Sequence, residues 1–189
     1  MVKIGILALQ GDFHEHALML SSLNAQAREV RREQDLQDLN GLIIPGGEST
    51  TIGRLARDYG LLEPLRRFAG SGRPVWGTCA GMIFLAKNIG PEPAHLALMD
   101  IEVRRNAFGR QTESFEADLE SPFGAFRAVF IRAPLIERAG PDVEVLARLP
   151  KGAIVAARQK NLLATSFHPE LTADTRWHRF FLTFLANAN

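Results

Sequence analysis

The first half of the chain alternates short strand-like runs with amphipathic stretches. Strands are predicted at residues 3–9, 26–30, 41–45 and 74–78, and the first of these runs is apolar almost throughout. Helices are predicted from the Asp12 cap to about residue 23, at 62–68, and from residue 80 onward. A further helix is predicted to follow a loop at 46–51 and to end at about residue 58. Such alternation is typical of an α/β fold with a doubly wound, open and mostly parallel sheet.

The second half is richer in short strands, separated by proline and glycine. They are predicted at residues 100–104, 113–119, 126–130, 143–147, 153–157 and 162–167, as extra, antiparallel strands. The chain ends in a helix with an apolar stripe at helical spacing, interpreted as core packing: Trp177, Phe180, Phe181, Phe184 and Leu185. Because no repeat or linker divides the sequence, residues 1–189 are predicted to form a single domain.

Composition and net charge argue against a protein that binds nucleic acid or spans a membrane. Hydrophobic residues make up 46% and charged residues 23% of the 189 residues, with a formal net charge of +1. This balance gives no electrostatic footprint for nucleic acid or an anionic membrane. No apolar run approaches the roughly 20 residues that span a bilayer, and residues 1–9 lead into polar residues without a signal-peptide cleavage site. A single cysteine excludes an intrachain disulfide and favours a reducing, cytoplasmic location.

The one cysteine lies where a strand turns sharply into a helix. Cys79 stands between Gly77 and Gly81, and this pattern is the cysteine version of the nucleophile elbow. Small neighbours let the backbone turn tightly, and the positive end of the helix dipole favours the thiolate form. A lone cysteine is more often a small buried hydrophobe, but the two glycines and the strand-to-helix context favour a nucleophile.

A nucleophilic thiol needs a base, and the base needs an orienting group. His168 follows the last predicted strand, and strand ends gather at one edge of a parallel sheet, so it is expected near Cys79. Glu170, two residues further on, is positioned to bond the imidazole. The other histidines carry no predicted role: His14 and His16 on a solvated helix face, His95 in a proline-rich surface stretch, and His178 on the last helix.

A glycine pair after the third strand suits the stabilisation of an oxyanion. The backbone N–H of Ala80 and one from Gly46 or Gly47 supply the two donors that a tetrahedral intermediate requires. The alternative is a glycine-rich turn capping a helix through Ser49 or Thr50. Neither a P-loop nor a G-x-G-x-x-G motif occurs, and no close Cys/His set suggests a metal, so no cofactor or metal is predicted.

Taken together, these motifs carry a family resemblance. The elbow, the Pro45-Gly46-Gly47 loop and the late His168-Pro169-Glu170 resemble class I (triad) glutamine amidotransferases, which implies a flavodoxin-like sheet. Five stretches are similar to the glutaminase subunits of pyridoxal 5′-phosphate synthases: residues 8–12, 45–51, 105–111, 130–134 and 166–171. They follow the family's order over nearly the whole chain, whereas residues 88–97 carry no family motif.

The resemblance implies a role for each matching residue. Cys79 is the nucleophile, His168 the base and Glu170 its orienting partner, with Gly47 and Ala80 as oxyanion donors. Glutamine is expected against Gly46, Gly47, Glu48, Ser49, Arg105, Ile131 and Arg132. Gln10 is implied to border the oxyanion loop and the partner interface. A guanidinium suits the α-carboxylate of glutamine, although Arg105 and Arg132 also fit solvated arginines at strand ends.

The implied reaction is hydrolysis of L-glutamine to glutamate and ammonia. The implied protein partner is the synthase (lyase) subunit that builds pyridoxal 5′-phosphate, or vitamin B6, from this ammonia. The isolated chain is then expected to be poorly active, and docking is expected to reshape the loop at Gly46 and Gly47. Three alternatives stay open: another class I amidotransferase such as the glutaminase of imidazole glycerol phosphate synthase, a cysteine hydrolase acting on peptides, and a non-catalytic scaffold or redox sensor.

Overall fold

The computed structural model describes residues 1–108 and 114–187. Its strands are β1 Lys3–Leu7, β2 Gln26–Val30, β3 Gly41–Ile44, β4 Val75–Thr78, β5 Ala86–Asn88, β6 Met99–Arg104, β7 Ser114–Ser121, β8 Gly124–Ile131, β9 Leu135–Ala139, β10 Glu144–Arg148, β11 Ile154–Gln159 and β12 Leu162–Thr165. Its α-helices are α1 Phe13–Ser22, α2 Ser49–Asp58, α3 Leu62–Gly70, α4 Ala80–Leu85 and α5 Arg176–Thr183. Short 3₁₀ helices occur at Glu33–Leu36, Pro169–Leu171 and Phe184–Asn187.

Ten of these strands form one sheet that combines a parallel half with a mostly antiparallel half. The order is β2-β1-β3-β4-β12-β11-β9-β6-β5, with β10 paired to β11. From β2 to β12 every pairing is parallel, whereas β11, β9 and β6 continue the sheet antiparallel. β7 and β8 form a separate antiparallel hairpin. The predicted mostly parallel α/β sheet with extra antiparallel strands in the second half is confirmed.

The sheet is buried on both faces, which explains the apolar character of its central strands. In β3, Leu42 and Ile44 pack into one hydrophobic cluster, while Ile43 between them packs into the other. The first cluster includes residues of α2, α3 and α4, and the second includes residues of α1 and α5. Side chains that alternate between two apolar layers leave no room for a polar face.

Several predicted boundaries are wrong by a few residues. The first strand ends at Leu7, although the N–H of Ala8 still donates to the Val30 carbonyl at 2.9 Å. The last strand ends at Thr165, although the Ser166 N–H still donates to the Val155 carbonyl of β11 at 2.8 Å. Helix α2 begins at Ser49, inside the predicted loop. Residue 113, the predicted start of one strand, lies outside the described residues.

Two short strands were not predicted, namely Ala86–Asn88 and Leu135–Ala139. The first has only three residues, two of them polar and exposed, so it carries no apolar signal of its own. Core packing of the last helix is confirmed, since Trp177, Phe181 and Phe184 are buried in the second cluster.

Candidate active site

Cys79 occupies a tight turn between β4 and α4. Its backbone has φ 48° and ψ −104°, a conformation that residues with a side chain rarely adopt. Its N–H donates to the Thr165 carbonyl at 2.8 Å, which ties the turn to β12. A Cβ at Gly77 would lie 2.3 Å from the Gly81 carbonyl oxygen, and one at Gly81 would lie 1.9 Å from the Ile44 carbonyl oxygen. The strand and the helix therefore approach so closely that only glycine fits at both positions.

His168 lies three residues beyond the end of β12, the strand that pairs with β4. Its Nδ1 donates to Glu170 Oε1 at 2.7 Å, and both side chains are buried. This bond leaves Nε2 as the ring nitrogen available for chemistry. Neighbouring parallel strands thus bring together Cys79, His168 and Glu170, as the sheet-edge argument anticipated.

The local charges favour a protonated His168. Burial lowers the pKa of its imidazole, but hydrogen bonds with Asp12, Cys79 and Glu170 outweigh burial and raise this pKa to about 12. Burial also raises the pKa of Glu170, while the bond to His168 opposes that rise. An imidazolium beside a buried carboxyl group is suited to donating a proton to a leaving amine.

Asp12 is a second acidic neighbour of His168 that the sequence interpretation missed. It was predicted to cap the first helix, but its side chain makes no capping hydrogen bond within the described residues. Its Oδ2 instead lies 3.3 Å from His168 Nδ1. The one available signal was its position at the end of the first strand, beside the edge where His168 was expected.

The glycine loop packs directly against His168. The Gly46 carbonyl accepts the Asp12 N–H at 3.1 Å, and a Cβ at Gly46 would lie 2.4 Å from His168 Cε1. Gly47 has φ +152°, and a Cβ there would lie 2.6 Å from Gln10 Oε1. Close approach to the His168 ring therefore requires glycine at position 46, whereas the positive φ of Gly47 is what favours glycine there.

Gln10 and Glu48 hold the loop from its two sides. Gln10 Oε1 accepts the backbone N–H of Glu48 at 2.7 Å. The Glu48 carboxylate accepts the backbone N–H groups of Thr50 and Thr51 at 3.0 and 2.7 Å and caps α2, so the alternative cap by Ser49 or Thr50 is wrong. Burial acts to raise the pKa of Glu48, but the bonds from these threonines prevail and lower it to about 2.

A cavity of about 360 Å³ opens above these groups. Its walls are Gln10, Gly11, Asp12, Gly47, Glu48, Ser49, Cys79, Ala80, Ile83, Arg105, Asn106, Ile131, Arg132, Pro134 and His168. Of the residues singled out from the sequence, Gly46 and Glu170 do not line this wall: Gly46 packs against the edge of His168, and Glu170 lies behind it. Gly11, Ile83, Asn106 and Pro134 were not anticipated.

Two arginine segments close the far side of this cavity. Arg105 pairs with Glu92 at 2.7 Å and approaches Thr50 Oγ1 at 3.3 Å, and its side chain is 26% exposed. The Ile131 carbonyl lies 3.8 Å from Cys79 Sγ, within reach of the thiol hydrogen. Arg132, which follows it, has φ 42°. Residues 109–111, the end of the motif at 105–111, lie outside the described residues.

Two of the five histidines, His16 and His95, lie in other surroundings than predicted, whereas His178 lies on the last helix as predicted. His16 and His178 are fully buried, so the solvated helix face predicted for His16 is wrong. His95 is half-buried and stacks on Phe84 with ring centroids 4.4 Å apart, because the proline-rich segment folds back over α4. An apolar environment for two imidazoles has no signature in the sequence pattern.

The cavity floor also holds a cluster with metal-ligand atoms. In the described residues, one donor atom each from Asp12, His168 and Glu170 lies within 4.8 Å of the others. The two carboxylates converge on one ring nitrogen, so shared hydrogen bonding accounts for this clustering.

Comparison with known proteins settles the family. The model of the SNO glutamine amidotransferase family matches residues 6–187. The chain belongs to this family. A relative from Dehalococcoides mccartyi strain 195, named pyridoxal 5′-phosphate synthase subunit PdxT, is 59% identical over 187 residues and 96% of each chain. One of the same name from Pelotomaculum thermopropionicum is 56% identical over 96% of this chain and 94% of its own.

Solved structures agree with this membership of the glutamine amidotransferase family. A crystal structure described as a glutamine amidotransferase is 53% identical, covers 97% of this chain and 98% of its own, and superposes with a TM-score of 0.92. PurLQS from Thermotoga maritima, at 16% identity over 97% of this chain and 98% of its own and a TM-score of 0.71, shares the fold. Among the helices that the structure describes, none has the length and apolar character needed to cross a membrane.

Proposed function

We propose that this chain hydrolyses L-glutamine through a cysteinyl thioester and passes the ammonia to the synthase subunit of a pyridoxal 5′-phosphate synthase. The observation that carries the proposal is a single cavity lined by Cys79 and His168, with Glu170 on the far nitrogen of the imidazole. Relatives that are 56–59% identical bear the name of that synthase's subunit, which supports the choice of partner.

In the proposed reaction, Cys79 and His168 exchange one proton in each half. The Cys79 sulfur attacks the side-chain carboxamide carbon while the imidazole holds the thiol proton. The C–N bond then breaks, and that proton leaves with the amine as ammonia. In the second half, His168 takes a proton from water, and the hydroxide displaces sulfur from the thioester. The sulfur leaves as thiolate beside the protonated His168, which restores the starting pair, and glutamate is released. Glu170 keeps Nδ1 protonated, so that Nε2 serves as the transfer atom.

The oxyanion of both tetrahedral intermediates is assigned to the backbone N–H groups of Ala80 and Gly47. Ala80 opens the helix after the nucleophile, and the Gly47 loop packs against the base, so both line the same cavity. Removing one such donor costs about 10²–10³ in turnover in comparable acyl-transfer sites. Gln10, through its bond to the Glu48 N–H, supports the loop that presents Gly47.

Recognition of glutamine is assigned to the cavity's polar rim. Arg105 provides a planar cation suited to the α-carboxylate, provided that the substrate displaces Glu92 from it. The loop residues Gly47, Glu48 and Ser49 and the Ile131–Arg132 segment line the cavity and complete the proposed binding residues. Gly46 is kept among them as the loop residue that packs against His168.

A protein partner is expected on chemical grounds. Free ammonia in neutral water becomes ammonium, which is a poor nucleophile, so a glutaminase is most useful when it is docked to the enzyme that consumes its product. We expect low activity of the isolated chain and a rearranged Gly46–Gly47 loop in the complex. The single cysteine favours a reducing compartment, and we assign this chain and its synthase partner to the cytoplasm.

The test is glutamate release from L-glutamine by the purified chain, with and without the synthase subunit. Cys79→Ala removes the nucleophile, and His14→Asn, an exposed change outside the cavity, is the matched control. A diazoketone analogue of glutamine should label Cys79, as peptide mass spectrometry would detect. Release that needs both Cys79 and the partner is the expected result. Release that ignores the partner contradicts the pairing, and release by Cys79→Ala contradicts the chemistry.

A further inference from the structure

A line of buried polar groups runs behind the catalytic histidine, away from the cavity. His16 projects from α1, His178 from α5, and Thr78 is the last residue of β4; all three are fully buried. His16 Nδ1 lies 2.9 Å from His178 Nε2, and His16 Nε2 lies 3.2 Å from Thr78 Oγ1. Buried polar groups of this kind normally exist in satisfied networks, so the direction of each bond matters.

The line ends at the second oxygen of the Glu170 carboxylate. Oε1 accepts the N–H of His168, whereas Oε2 makes no hydrogen bond of good geometry within the described residues. His16 Nε2 faces Oε2 at 3.4 Å. A buried carboxylate oxygen without a donor carries the full cost of desolvation, so this nitrogen is the group placed to relieve it.

Only one set of His16 and His178 tautomers gives each ring N–H in this line of buried polar groups an acceptor. If His16 carries its proton on Nε2, that N–H points between Glu170 and Thr78, and Nδ1 accepts the N–H of His178 Nε2. His178 Nδ1 then carries no proton, which agrees with its lack of a partner in the described residues. The opposite arrangement places a bare His16 lone pair against the carboxylate and leaves a buried N–H of His178 without an acceptor.

Charge favours the same arrangement. Burial lowers the pKa of His16 well below its usual value, helped by the nearby His178 and His168. Burial alone lowers the pKa of His178 to about 3. Both rings are therefore neutral near pH 7, and a neutral ring has one N–H whose direction is fixed by its neighbours.

We propose that His16 is a positioning residue for the triad: as the neutral Nε2–H tautomer, oriented by His178, it donates to Glu170 Oε2. The carboxylate is then held at both oxygens, by His16 on one side and His168 on the other, and cannot rotate away from the base. This inference rests on the proposed roles of His168 and Glu170, and it adds α1 and α5 to the elements that set their geometry.

The first test reads the tautomers of the wild-type chain directly. The ¹⁵N chemical shifts of its imidazoles should show protonated Nε2 and bare Nδ1 in both His16 and His178. A His16 ring protonated on Nδ1, or on both nitrogens, at pH 7 overturns the proposal. This measurement needs neither activity nor a variant.

The second test compares three substitutions at one position, assayed in complex with the synthase subunit. His16→Gln keeps a donor near the position of Nε2, His16→Asn has an amide that stops short of Glu170, and His16→Leu has no donor. We expect kcat to fall roughly tenfold in His16→Asn and His16→Leu but to stay within about threefold of wild type in His16→Gln. KM for glutamine should be unchanged, because His16 does not line the cavity.

The outcomes separate this proposal from the proposed function. His14→Asn, on the same helix but exposed, should match wild type. Wild-type kcat in His16→Leu, or equal losses in His16→Gln and His16→Asn, overturns the positioning role while the glutaminase chemistry stands. Undiminished turnover by Cys79→Ala in the same assay would instead contradict the triad itself.

Discussion

At the scale of single residues, the site depends on a cysteine held in an unfavourable backbone conformation. The left-handed φ of Cys79 costs about 1–3 kcal/mol, and such strain persists only where several contacts enforce it. Here the Cys79 N–H bonds to Thr165, and its carbonyl accepts the N–H of Met82 at 3.1 Å. Cys79, the proposed nucleophile, is therefore fixed by its main chain, while its side chain stays at the cavity wall.

Asp12 gives a residue-scale prediction. Because its carboxylate is among the groups that raise the pKa of His168, Asp12→Asn should lower that pKa toward the ordinary value of histidine. NMR titration of the His168 ring measures the change, and Asp174→Asn, whose carboxylate pairs with Arg176, is the control. An unchanged titration in Asp12→Asn would contradict a contribution of Asp12 to the pKa of His168.

At the scale of elements, the decisive feature is how closely α4 approaches β3 and β4. Every residue of this six-residue helix is buried, and its first turn leaves no space for a side chain at Gly81. The elbow is thus set by the close packing of a helix against two strands, and this packing fixes the position of Cys79.

Gly81→Ala tests this packing. Its methyl group would meet the Ile44 backbone carbonyl, so we expect the free energy of unfolding to fall by about 3 kcal/mol or more. Gly70→Ala is the matched control, because its Cβ would meet nothing within 4 Å and it should change stability by about 1 kcal/mol at most. Urea denaturation measures both; equal effects would contradict the close approach.

The sequence predicts an element or a contact where its own residues carry the signal, and not where side chains from distant segments decide it. The apolar runs of β1 and β3 identify buried parallel strands because both of their faces enter the core. The meeting of Cys79 and His168 follows from the same sheet geometry. The burial of His16 and the turn of Asp12 toward His168 depend on side chains from distant segments, and no local pattern encodes them. The three-residue β5 is likewise defined by its neighbour β6 rather than by its own residues.

At the scale of the molecule, the two hydrophobic layers differ in what they enclose. The layer beneath α1 and α5 contains Trp76 and Trp177, together with the buried imidazoles of His16 and His178. Ring centroids of Trp76 and His178 are 4.9 Å apart, edge to face. Neutral histidines enclosed among aromatic rings make the stability of the whole fold sensitive to acid.

This sensitivity gives a prediction for global stability. The unfolded chain protonates His178 near pH 6.5, but the folded chain does so only near pH 3, so the unfolded state binds more protons between these values. The free energy of unfolding should therefore fall as the pH drops below 6.5, by up to about 1.4 kcal/mol per pH unit for this group. Denaturation from pH 4.5 to 7.5 should show a shallower slope in His178→Gln; identical slopes would refute this origin.

The pairing of β4 with β12 has a consequence for how the protein is made. Strand β12 lies between β4 and β11, both of which precede it in the chain. During synthesis on the ribosome, Cys79 emerges long before His168. The chain leads away from β4 through β5 to β11 before β12 returns to pair with β4. Until β12 enters the sheet, Cys79 lies without His168 beside it, so the proposed triad can assemble only after that strand has taken its place.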